Sequence, residues 1–268
     1  MTAEFSVLIS VYASEQPQYL AACFDSLAAQ TLAAKEVVVV EDGPIGADLQ
    51  AVIERYRSTL PIVSVVLPSN VGLANALNAG LAACTTELIA RMDTDDVCLP
   101  YRFERQIGYL LANPHIDALG AMVEEYDVTM TRSLGIRSLP LDHAALLTFA
   151  KRRSPLSHPT VVYKKQAVLA VGGYPKFRKA QDYALWSLML QKGYQIANLP
   201  EVLLNMRAGA GLMQRRGKDY LKHELAIIRF QKDIGFISQQ EFFVNSLLRS
   251  IVRRSPDAIK QLIYKFAR

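Results

Sequence analysis

The chain is poor in the residues that staple or metal-load small folds: three cysteines, four histidines and one tryptophan in 268 residues. Cys23, Cys84 and Cys98 are odd in number and lack metal-type spacing, so a disulfide framework and a zinc finger are both excluded. No apolar run approaches the ~18 residues of a membrane span. Met1-Thr2-Ala3-Glu4 leads directly into Phe5-Ser6-Val7-Leu8-Ile9, without a basic n-region or a cleavage site, and a cytoplasmic protein without a signal peptide is expected. A Walker-type glycine loop, a Gly-x-Ser-x-Gly elbow and a Ser-His-Asp arrangement are all missing, which argues against P-loop nucleotidases and the usual hydrolases. Charged residues make up only 21% against 51% apolar, which rules out a disordered chain.

What is present first is alternation. Phe5 to Val11, Val37 to Val40, Ile62 to Leu67 and Leu88 to Met92 are short apolar runs that read as buried strands. Between them Gln18 to Ala29, Leu49 to Tyr56 and Leu73 to Ala83 carry apolar residues at helical spacing, and Pro100 opens a further helix to about Ala112. This is an α/β pattern with a mainly parallel sheet covered on both faces. Beyond Ala118 the pattern loosens. Leu119 to Tyr126 and Thr160 to Tyr163 read as strands, Ala144 to Lys151 and Gln181 to Lys192 as helices, and Gly172-Gly173-Tyr174 as a turn. The division expected is one domain over 1–213, with halves of about 1–117 and 118–213, and a helical extension over 214–268.

Ligands of parallel sheets bind at the carboxyl ends of strands, where Tyr12, Asp42 and the run Arg91-Met92-Asp93-Thr94-Asp95-Asp96 all fall. Three carboxylates in four residues repel one another. They suit a divalent ion with oxygen ligands, Mg²⁺ or Mn²⁺, whose open positions phosphate oxygens complete; a solvated acidic loop is the plain alternative. Asp42, before Gly43-Pro44, is either a turn-forming residue or an acceptor for a base or ribose edge. Asn70, Asn75 and Asn78 line the start of a small-residue helix that either packs tightly or admits a phosphate. Asp182 sits at a helix N-terminus, as a cap or as a general base. Ser157-His158-Pro159 holds the one histidine in a crevice segment; His115, His143 and His223 read as surface residues.

In their order and spacing, Ser6 to Tyr12, Ser26 to Thr31, Val39 to Gly43, Asn70 to Ala74, Arg91 to Asp96 and Pro100 to Phe103 resemble a family 2 glycosyltransferase over roughly Phe5 to Arg207. The nearest likeness is to bacterial O-antigen and exopolysaccharide enzymes that use UDP-hexoses. That resemblance implies a GT-A fold, a UDP-hexose donor, Mn²⁺ or Mg²⁺, and a sugar acceptor linked to a lipid diphosphate. It implies donor contacts from Tyr12, Asp42, Asn70, Asn75, Arg91, Asp93, Thr94, Asp95 and Arg207, with Asp95 and Asp96 on the metal. It also implies that Asp182 is the base and that His158, Gln181 and Trp186 meet the acceptor. Gln181 stands where the family usually has glutamate, so one charge beside the base is lost. A nucleotide-sugar binder without transfer activity would need neither Asp182 nor His158, and a soluble acceptor is the other alternative.

From Gln214 onward the chain reads as helical and basic. Its Lys and Arg residues are not interleaved with aromatics on a nucleic-acid scaffold, so no nucleic-acid partner is expected. Ser246 to Arg254 and Ile259 to Phe266 combine an apolar face with flanking basic residues. Two readings fit: a helix lying on the anionic inner leaflet of the plasma membrane, or one packed on the catalytic domain.

Overall fold

The computed structural model describes residues 4–208 and 218–254. Strands β1 (Phe5–Val11), β2 (Glu36–Glu41), β3 (Ile62–Val66) and β4 (Leu88–Arg91) alternate with helices α1 (Pro17–Ala28), α2 (Ala47–Tyr56) and α3 (Leu73–Ala83). All four strands pair in parallel, in the order β3-β2-β1-β4. Side-chain alternation sends Val7, Ile9, Val37 and Val39 to one face, where they meet Phe24 of α1 and Ile53 of α2. Leu8, Val38 and Val40 go to the other, against Leu77 of α3. Two cores therefore sandwich one sheet, which explains strands that are apolar throughout.

Helix α3 lies unusually close to the sheet. A Cβ on Gly80 would sit 2.4 Å from Leu8 Cδ1 and 2.5 Å from Val40 Cγ2. Overpacking of this kind costs ~1–3 kcal/mol, against a gain of ~1 kcal/mol for alanine over glycine in a helix. Gly80→Ala should therefore be a net loss on the order of 1 kcal/mol, read as a Tm lower by ~2–4 °C. An unchanged or raised Tm would mean that α3 can lift off the sheet at no cost.

The sheet does not stop at residue 117. Strand β5 (Val97–Cys98) and helix α4 (Arg102–Ala112) follow the acidic run, then β6 (Ala118–Tyr126), β7 (Ser133–Arg137), α5 (His143–Ala150), a 3₁₀ turn (His158–Thr160), β8 (Val162–Lys164), α6 (Lys165–Ala170), α7 (Gln181–Gln191) and β9 (Ile196–Arg207). Antiparallel pairing of β8 with both β4 and β6 carries the sheet from the first half of the domain into the second. Pairs β5–β9 and β6–β7 are also antiparallel, while β6 and β9 run parallel. The half beyond β4 is thus mixed, and the parallel pattern holds strictly only before it. Strand β9 has no counterpart in the sequence reading because Pro200 interrupts it, and proline cannot donate to a ladder. The pairing with β6 passes from Leu199 to Val202, so Pro200 and Glu201 are looped over by an irregularity. Pro100 also stands outside its expected helix: α4 begins at Arg102, and the Pro100 carbonyl accepts from Thr31 N–H.

The described part of the extension is helix α8 (Lys218–Asp233) and helix α9 (Gln239–Arg254). Ile227, Ile228, Phe236 and Ile237 are buried, and the Gln231 amide donates to Ser187 Oγ of α7 and to the Ala150 carbonyl. Helix α9 is tied down by Arg253–Glu224 and Lys151–Glu241 ion pairs and by Asn245 donating to the Lys151 carbonyl. Packing on the catalytic domain is therefore part of what this segment does. Ile259 to Phe266 lies outside the described residues.

Candidate active site

The carboxyl ends of β1, β2 and β4 converge, as the parallel ladder requires: Asp42 N–H donates to the Val11 carbonyl, and Met92 N–H to that of Leu8. Tyr12 is 47% exposed at this rim. Asp42 is buried, and its two oxygens accept from Val71 N–H (2.7 Å) and Gly72 N–H (3.1 Å), while Asn70 Nδ2 donates to the Asp42 carbonyl. The carboxylate thus shapes the loop entering α3, and only its remaining lone pairs could accept from a ligand. Asn75 Nδ2 donates to the Val71 carbonyl in the loop just before α3. Asn78 clamps the glycine turn, accepting from Tyr174 N–H and donating to the Tyr174 carbonyl. Gly173, at φ +77°, is needed there because a Cβ would meet Asn78 Oδ1 at 2.5 Å.

The acidic run forms one charge cluster. Asp96 is almost fully buried and its Oδ1 accepts from Arg207 N–H at 2.9 Å. Arg207 also donates from Nε to the Asp95 carbonyl, bonds the Val128 carbonyl, and lies 3.9 Å over the Tyr19 ring. Thr94 bonds Glu15, which adds a fourth carboxylate. Burial, then Asp93 and Glu15, push the Asp95 carboxyl up to about 6. Burial, then Asp93 and Asp95, raise Asp96 as well. Such carboxylates resist ionising side by side, and a cation would reverse both shifts. Among the described residues no three acidic, His or Cys side chains form a closed cage. Half-buried Asp95 beside buried Asp96 instead fits an ion held by two carboxylates and completed by other oxygens.

Two arginines lie under the cluster. Arg91, 1% exposed, pairs with Asp93, while its Nε and Nη1 have no hydrogen-bond partner. Its burial speaks against direct contact with a donor and makes it an internal counter-charge. Arg102, fully buried, bonds the Arg91 carbonyl and Gln106. Asp182 opens α7 after Ala180, a non-glycine residue in the left-handed region at φ +60°. Burial pushes the Asp182 carboxyl up to about 6; its own N–H and that of Tyr183 oppose this, as does Arg91, and Asp93 reinforces it.

His158 bonds Tyr174 Oη at 3.1 Å, within a cluster of Tyr163, Tyr174 and Trp186 rings. Burial, helped by Arg91, holds it well below the usual histidine range and therefore neutral. Trp186 is fully buried with an unpartnered indole N–H. The expected acceptor contact of Trp186 does not hold here: one turn beyond Asp182, its side chain lies on the face of α7 that packs into the core. Gln181 is buried beside Asp182. Of the other histidines, His143 is half-buried, and its ring accepts from Ile196 N–H. Glu15, Tyr19, Tyr163 and Tyr174 are additions that carry no local motif; they enter only because distant segments meet.

Residues 6–172 match the sequence profile of glycosyl transferase family 2. The chain belongs to that family. It is 42% identical over 265 residues to the amylovoran biosynthesis glycosyltransferase AmsE of Erwinia amylovora, covering 97% of this chain and 98% of the relative. It is 34% identical to the UDP-Gal:alpha-D-GlcNAc-diphosphoundecaprenol beta-1,3-galactosyltransferase of Escherichia coli, covering 98% and 96%. Among solved structures, the fold matches mannosyltransferase PcManGT from Pyrobaculum calidifontis, in complex with GDP-Man and Mn2+, with TM-score 0.65 at 17% identity over 100% of this chain and 80% of that one. S. aureus TarS 1-349 in complex with UDP-GlcNAc matches at TM-score 0.63 and 21% identity, covering 85% and 66%. This glycosyltransferase therefore has the GT-A architecture that the motif order implied.

Proposed function

We propose that this glycosyltransferase moves a hexose, glucose or galactose, from a UDP-sugar to a hydroxyl of a lipid-diphosphate-linked sugar, with inversion, in O-antigen or exopolysaccharide assembly. The observation that carries the reading is the pairing of an acidic cluster at a strand end with a separate carboxyl, Asp182, raised to about 6 at the mouth of α7. The UDP-Gal donor and GlcNAc-diphosphoundecaprenol acceptor of the Escherichia coli relative support the donor and acceptor classes, and the part of the Erwinia amylovora relative in amylovoran biosynthesis supports the setting. Asp95 and Asp96 would hold Mn²⁺ or Mg²⁺, which supplies Lewis-acid neutralisation of the leaving diphosphate. Asp182 takes the proton from the acceptor hydroxyl as its oxygen bonds the anomeric carbon, and the bond to the diphosphate breaks with its electron pair leaving on oxygen. A single displacement turns an α-linked donor into a β-glycoside. Arg91 holds Asp93 in place from below, and neutral His158 lines the aromatic wall beside the base.

Purified full-length protein with Mn²⁺, a synthetic GlcNAc-diphosphate-lipid and a panel of UDP-hexoses tests this. One donor should be consumed in preference, giving a β-linked disaccharide. Binding of UDP-sugars without transfer to any acceptor would instead leave a nucleotide-sugar-binding protein of the same fold.

A further inference from the structure

Helix α9 is pinned to the catalytic domain along one side, yet its other side carries Phe243 at 62%, Val244 at 50%, Leu247 at 61% and Leu248 at 49% exposure. The spacing i, i+1, i+4, i+5 puts these four on one contiguous face, which Ile251, also exposed, continues toward the end of the helix. Ion pairs Arg253–Glu224 and Lys151–Glu241 hold the helix in this orientation, so the face cannot turn inward without breaking them. Next to it a groove of about 330 Å³ runs between α8 and α9, with Leu225 and exposed Arg229 on one wall and Phe243 and Leu247 on the other. Residues 214–268 hold twelve Lys and Arg against five Asp and Glu, a surplus larger than the +5 of the whole chain.

We infer that this face of α9 is a monotopic docking surface for an anionic lipid bilayer: Phe243, Val244, Leu247 and Leu248 enter the interface, and the groove beside Arg229 takes an acyl chain below its phosphate. It deepens the lipid-linked acceptor proposed above, and rests on it only in purpose. Charge selects the occupant. A second copy would bring two strongly basic segments together, and like charges across an interface are repulsive, whereas an anionic surface attracts each basic residue near it. A 16-residue helix reaches only ~24 Å, short of the ~30 Å hydrocarbon core. None of the described helices is long and apolar enough to cross, so α9 lies in the interface plane.

Flotation of the full chain with phosphatidylcholine vesicles, with and without phosphatidylglycerol, tests this. Binding should require the anionic lipid. It should fall roughly tenfold or more in the Phe243→Ser, Leu247→Ser variant, the scale of withholding two large apolar side chains from an apolar phase. Transfer to a short-chain, water-soluble acceptor analogue should be unchanged in that variant, which also shows that it folds. Absent or unaltered vesicle binding overturns the inference, as does a concentration-dependent dimer that the same substitutions dissolve. Vesicle binding without transfer to any acceptor would sink the acceptor reading and leave the docking surface standing.

Discussion

Replacing Asp182 by asparagine should lower kcat by ~10²-fold or more, the usual weight of a general base, while UDP affinity stays near wild type. The amide keeps the shape of the side chain and its bonds at the start of α7 but cannot take a proton. The pH dependence supplies a second readout. Burial raises this carboxyl to about 6, and only its ionised form accepts a proton. Activity should therefore be flat above about pH 7 and fall as pH drops through 6. In Asp182→Asn that low-pH limb should vanish from the residual rate, whereas a merely structural role would leave it in place. If the variant turns over normally, the base lies elsewhere, and Glu124 is the next candidate, since Glu125 is ion-paired with Arg137.

The second large effect concerns the acidic cluster. EDTA should abolish transfer and added Mn²⁺ should restore it; full activity in EDTA would end the metal assignment. Asp95→Ala and Asp96→Ala should each remove most activity. The two differ in what they do to the fold. The bond from Arg207 falls on the Asp95 backbone carbonyl, which alanine keeps, and burial and then its acidic neighbours push the Asp95 carboxyl up, so Asp95→Ala relieves repulsion, and the Tm of the metal-free protein should hold or rise. Asp96→Ala leaves Arg207 N–H without its carboxylate partner, so a lower Tm is expected there. In wild type, Mn²⁺ with UDP should raise Tm through linkage, and that shift should be lost in both variants. A Tm collapse in Asp95→Ala would show that the cluster is structural.

The elements of the first ninety residues were legible because each strand is apolar throughout and each helix has one apolar face, patterns set by local chain geometry alone. β1 and α3 fall where the periodicity places them, at Phe5–Val11 and Leu73–Ala83. The acidic run was legible for a different reason: charged side chains at the end of an apolar segment contradict their surroundings, and that contradiction is visible in one dimension. Asp182 stood out only through the family resemblance, since an acid at a helix N-terminus is by itself an ordinary cap. The sequence by itself thus determined the fold class and the family, and it singled out the candidate residues for a cation and for a proton. Tertiary structure alone decided who surrounds them. Strand β9 exists because its pairing with β6 loops over Pro200, and it delivers Arg207 to Asp96. His158, Tyr163, Tyr174 and Trp186 come from three separate segments and become one aromatic wall only when the sheet closes. Arg91 changed from a donor contact to a buried counter-charge, and Trp186 from an acceptor contact to core, because burial depends on what packs from the far side of the sheet. Periodicity also showed that α9 has an apolar face; only the ion pairs that fasten its opposite side show that this face looks outward.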